Sequence, residues 1–187
     1  MTDSIISKLK QQLEVAGIDT LHLSDKEASL FARAVEEKAA VYENICSKSP
    51  GKDPKLLLLG LLTKLQIEAT ARLETQADKI GMMQNIFSDT LGQSQADKFS
   101  ADSVIELSLV TKLWLMVQGY LNMDFSLAND YAHNASELLA KALHSHSVDE
   151  IRTELLASYY HGKEKRKVDD PSILWSDKIV KWFTRSS

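Results

Sequence analysis

Three residues at helical spacing are the nearest this sequence comes to a metal centre. Asp130, His133 and Glu137 lie at i, i+3 and i+7, so a helix would bring a carboxylate, an imidazole and a second carboxylate onto one face. A ferritin-like di-metal site needs two Glu-x-x-His pairs and two further carboxylates from four helices. Here an aspartate stands in the glutamate position and no second histidine pair occurs, so the three residues read first as a solvated polar face. His144 and His146 flank Ser145. With His161 they would capture a transition metal only if folding supplied a third or fourth ligand. The single cysteine, Cys46, has no histidine near it in sequence and sits beside Ile45 on the apolar side of a predicted helix. It reads as a small core residue in a reducing compartment, not as a reactive thiol. No Gly-x-Ser-x-Gly elbow, P-loop or dinucleotide fingerprint is present. The motifs therefore imply no catalytic residue, no metal and no cofactor.

The C-terminal segment differs in kind. Residues 161–187 hold seven Lys or Arg and four Asp or Glu, a net +3 in a chain of net charge −4, so the body carries −7. A basic run, Lys163-Glu164-Lys165-Arg166-Lys167, is interrupted and followed by acids, and reads as a solvated helix end. Beyond the Val-Asp-Asp-Pro turn, a last helix is predicted from about Ser172. At 100° per residue, Trp175, Ile179, Trp182 and Phe183 form one broad apolar face, with Asp177, Lys178 and Lys181 toward the other. Such a face closes a core, fills a partner's groove, or lies on a lipid-like surface where tryptophan and lysine are favoured.

Composition narrows the partners. The acidic balance argues against a whole-surface nucleic-acid binder. The N-terminal decapeptide lacks an apolar core of signal-peptide length. The most apolar runs are 56–62, broken by Gly60, and 104–121, which contains Glu106 and Lys112. Both are better explained as buried helices than as membrane spans. A cytoplasmic location is expected.

The elements that would position these groups are all helical. Ser24-Asp25-Lys26-Glu27 and Ser147-Val148-Asp149-Glu150 are capping boxes, in which serine and glutamate satisfy each other's backbone N–H groups. Asp53-Pro54 places a capping carboxylate before a residue suited to the first helical position. Ile5, Ile6, Leu9, Leu13 and Ala16 mark a first amphipathic helix, which Gly17 would stop. Phe31, Val35, Tyr42 and Ile45 mark a second, ending near Ser47. A third runs from Lys55, with a bend or break expected at Gly81 and a firm interruption from Gly92 to Ser100. Asp102 would cap the next helix, 103–122, whose apolar residues occupy nearly every angular position and mark it as the centre of the fold. An alanine-rich stripe from Ala128 to Leu143 suggests its antiparallel partner, joined near Met123-Asp124. The capping box at Ser147 opens a helix that Gly162 would end.

The sequence thus predicts an all-α, single-domain bundle of about six to eight helices. Residues 1–162 form the bundle, and 163–187 a basic linker plus an amphipathic aromatic helix, packed on the bundle or free of it. The leading functional expectation is a non-enzymatic protein-binding module, acting as an adaptor, chaperone or regulatory subunit. Trp175, Ile179, Trp182 and Phe183 would contact a protein partner, with Lys178 and Lys181 at the rim. One alternative is a peripheral amphipathic coat of a membrane or hydrophobic granule; another is a helical metal-binding protein or enzyme built around His133. A homo-oligomer is compatible with the pattern.

Overall fold

The computed structural model describes residues 11, 13, 14, 18, 23–87, 101–143 and 146–170. The fold is an all-α single bundle, and the described residues contain no strand. Its helices are α1 (Asp25–Lys48), α2 (Pro54–Phe87), α3 (Ala101–Tyr120), α4 (Phe125–Ala142) and α5 (Val148–Asp169). They are preceded by helical residues at 11, 13 and 14. Ile18 N–H reaches back to the Leu13 carbonyl, 3.0 Å away, and both residues are buried in the core.

Each start and stop has a local cause. Both capping boxes form: Ser24 caps α1 through Glu27, and Ser147 caps α5 through Glu150. Asp53 Oδ1 accepts from Lys55 N–H at 2.9 Å, and Asp124 Oδ1 accepts from Ser126 N–H at 2.9 Å. α3 ends where Asn122 takes a φ of 53°. Met123 N–H then reaches the Gln118 carbonyl and Asn122 N–H that of Gly119, each at 3.0 Å. This paired closure satisfies the carbonyls that a helix end leaves free.

Three local expectations are corrected. α2 continues through Gly81 to Phe87, so that glycine does not break the helix. α3 already includes Ala101, which puts Asp102 in its first turn and not at its cap. α5 continues through Gly162 to Asp169, so the basic run forms its last turns. A glycine costs a helix interior only about 1 kcal/mol relative to alanine, which packing readily offsets.

What offsets it at Gly162 is a neighbouring backbone. A Cβ on Gly162 would lie on the Met116 carbonyl of α3, and a Cβ on Gly119 would lie on the Tyr159 carbonyl of α5. The two helices therefore meet backbone to backbone, each through the other's glycine. This contact helps explain why α3 is so thoroughly enclosed: from Leu107 to Gly119 only Ser108 and Lys112 are less than buried. α2 runs antiparallel along α3, with Gln76 bonded to Ser103, Thr63 to Trp114 and Lys55 stacked on Tyr120. α4 adds Ala128, Ala132 and Ala135, all buried, and sets Tyr131 against Trp114 with ring centroids 4.2 Å apart.

Replacing Gly119 or Gly162 with alanine is expected to cost about 3 kcal/mol, because carbonyl oxygens cannot give way as a flexible side chain would. Gly60, exposed and with open space where its Cβ would go, provides the contrast. Gly60→Ala should stabilise by about 0.5–1 kcal/mol. Urea unfolding of the three variants measures both signs; a tolerated Gly162→Ala would contradict the close crossing.

Candidate functional site

Only two charges interrupt the apolar run 104–121, and both serve to anchor neighbouring helices. Glu106 Oε1 accepts from Arg72 Nη2 of α2 at 2.6 Å. Lys112 lies deeper, its side chain 16 % exposed, and reaches Glu27 Oε1 of α1 at 2.9 Å and Glu154 Oε1 of α5 at 3.2 Å. Glu27 is itself 10 % exposed at the side chain and also accepts from the Ser24 N–H at 2.9 Å and from the Ser24 hydroxyl at 3.0 Å. The capping box of α1 is thus wired to the central helix. Burial pushes the Glu27 carboxyl up, but the Ser24 N–H, Lys112 and the Ser24 hydroxyl outweigh it and hold the group below the ordinary carboxylate range. Burial pulls Lys112 down, and Glu27 and Glu154 more than restore it, leaving the ammonium above the ordinary lysine value.

The signs of these shifts set a pH profile. The depressed Glu27 contributes stability that is present above its unfolded pKa and lost as pH falls through its folded one. The raised Lys112 contributes stability that is present below its unfolded pKa and lost as pH rises through its folded one. Stability from this tie should therefore be level near neutrality, fall below about pH 4 and fall again above about pH 10.4. Glu27→Gln keeps a capping acceptor but removes the charge; it should cost about 1–2 kcal/mol and flatten the acid limb. A double-mutant cycle with Lys112→Met checks the coupling, and additive losses would show that the pair is not a unit.

The histidine constellation is brought only partly together. His133 Nε2 lies 3.5 Å from Glu137 Oε1, with both side chains about half exposed. Among the described residues, no group of three or more His, Cys, Asp or Glu is placed to hold a metal ion. His144 lies outside the described residues. Cys46 is half-buried and packs against the core one turn from Tyr42. Burial, and then the neighbouring thiol, push the Tyr42 phenol well up. A cleft of about 30 Å³ between α1, α2 and α3 is lined by Phe31, Leu58, Leu62, Leu109 and Leu113, with Leu13 at one side. It has room for little more than a water molecule, far less than a small-molecule pocket.

The remaining feature is an apolar and aromatic surface at one end of the bundle. Tyr120 defines this end: its hydroxyl donates to Asp169 Oδ2 at 3.0 Å, and Lys55 Nζ sits 5.3 Å from its ring centroid. The end of α3, the starts of α2 and α4, and the last turns of α5 therefore share it. Five of the seven exposed large apolar side chains among the described residues lie in these segments or in the adjoining half of α5: Leu56, Phe125, Leu127, Tyr160 and Val168. Phe125 packs beside Tyr160 with centroids 5.7 Å apart, and both contact Tyr159, which is buried and donates to the Met123 carbonyl at 2.7 Å. In the basic run, Lys165 pairs with Asp169 at 3.5 Å and Lys167 with Glu164 at 2.8 Å, while Lys163 stands 5.9 Å from the Tyr159 ring.

Trp175, Lys178, Ile179, Lys181, Trp182 and Phe183 lie outside the described residues. The chain leaves α5 for that segment at Asp170, beside the surface just described. Among the described residues, no helix is long and apolar enough to cross a membrane. Comparison with protein-family models, with curated proteins and with solved structures found no match to this chain.

Proposed function

We propose that this protein is a non-enzymatic helical protein-binding module, an adaptor, chaperone or regulatory subunit. Its partner would be held by Trp175, Ile179, Trp182 and Phe183, with Lys178 and Lys181 at the rim. The observation that carries the reading is the concentration of exposed apolar side chains at the end of the bundle from which this aromatic segment departs. Exposed apolar side chains with aromatic anchors and flanking lysines are the composition of an interface core and its rim. Three of the ionisable groups with displaced pKa values give further support. Glu27, Lys112 and Tyr120 all tie one helix to another, which is a structural use for them.

Full-length protein used as bait in native lysate tests the reading. Trp182→Ala should reduce specific capture at least tenfold, as loss of an interface anchor does, and should shift the melting temperature by no more than about 2 °C. Charge reversal of Lys178 and Lys181 should weaken capture mainly at low ionic strength, because salt screens exposed charges. Undiminished capture by Trp182→Ala would remove the segment as the binding site. A loss of several kcal/mol of stability would make the tryptophan a core residue.

A further inference from the structure

The outward face of α2 is apolar at its centre and oppositely charged at its two ends. Lys64, Ile67, Ala71 and Glu74 are all exposed, Ile67 at 60 %. Their spacing of three, four and three places them within an arc of about 80° at 100° per residue. They lie on the side away from Leu58, Leu62, Ala69 and Leu73, which α2 buries in the core. The stretch covers about 15 Å of helix, and its three-four alternation is that of a seam between two helices. Among the described residues, Glu68 pairs with Lys38 and Arg72 with Glu106, whereas Lys64 and Glu74 join no ion pair. Two charges of opposite sign thus stand ready at either end of a bare apolar pair.

We propose that this face pairs with the same face of a second copy of the chain, the two α2 helices running antiparallel across a two-fold axis level with Ala69. A two-fold contact uses one patch on both partners, so each pairing occurs twice. In this register Ile67 of each chain packs on Ala71 of the other, where the small side chain leaves room for it, and Lys64 of each meets Glu74 of the other. A slip of one turn parts both charge pairs. A parallel arrangement sets lysine against lysine and glutamate against glutamate, which disfavours it. The charges therefore select orientation and register, while the isoleucine–alanine contacts supply the buried apolar area. A contact one helix wide falls below the roughly 1,200 Å² of a standard interface, so the dimer is weak, with a dissociation constant on the order of 100 μM. None of these four residues belongs to the bundle-end surface, and the pairing does not depend on the function proposed above.

Sedimentation equilibrium of the full-length chain, in reducing buffer so that Cys46 forms no intermolecular disulfide, tests the pairing. Between about 10 and 500 μM the average mass should rise from that of one chain toward that of two. Ile67→Glu, at an exposed position where folding is undisturbed, should raise the dissociation constant at least about tenfold, with an unchanged melting temperature as the control. Lys64→Glu and Glu74→Lys should each weaken association, because each sets like charges face to face, and the double reversal should restore it. Rescue by the double reversal is an outcome that contact through any other face does not produce. A single-chain mass across the whole range would overturn the proposal. So would association indifferent to Ile67→Glu, or a double reversal no tighter than either single one.

Discussion

The backbone contact between α3 and α5 is the constraint on which the rest of the structure depends. Gly119 lies against the Tyr159 carbonyl and Gly162 against that of Met116, so neither helix can rotate or slide without driving a Cα into a peptide. Close approach maximises dispersion along the shared face and fixes the register of everything attached to α5. Glu154 is carried to Lys112, Tyr159 to the Met123 carbonyl, and Asp169 to Tyr120. The rest of α3 is then closed by α2 and α4, through the hydrogen bond from Trp114 Nε1 to Thr63 Oγ1 and the Trp114–Tyr131 ring contact.

α1 is attached differently. Its N-terminus is held by an ion pair and a capping box that share one carboxylate, Glu27, and its body by apolar contacts that include Phe31, Ala39 and Tyr42. Along its body Lys38 also pairs with Glu68 of α2 at 3.4 Å, so this helix leans more on ion pairs than the α3–α5 contact does, where glycines meet carbonyls. The bundle therefore combines a rigid apolar spine with a first helix whose end is fastened electrostatically. At the other end it presents aromatic surface.

Local signals were legible in the sequence, and tertiary ones were not. Ser24, Asp53 and Ser147 cap helices as their spacing predicts, because capping uses only residues within one turn. The continuous apolar character of 103–122 identified the buried centre, since a helix with no polar face has to be surrounded. Gly162 carries no local sign of its role, because the same residue that ends one helix lets another approach, and the difference lies in Met116, forty-six positions away. The Lys112 tie had a signal, a lone cation in an apolar helix. Its partners Glu27 and Glu154 are eighty-five and forty-two positions away, beyond any periodicity. The exposed aromatic pair of Phe125 and Tyr160 had no sequence signal, because the two residues meet only through the fold.

Native-state hydrogen exchange of the full-length protein tests the central claim most directly. If the α3–α5 crossing is the spine, the slowest amides should be those of residues 113–119 in α3 and 159–163 in α5. They should exchange together at the free energy of global unfolding, with amides of α1 opening at lower cost. Faster exchange in these segments than in α1, or exchange of α3 and α5 at separate free energies, would contradict the account.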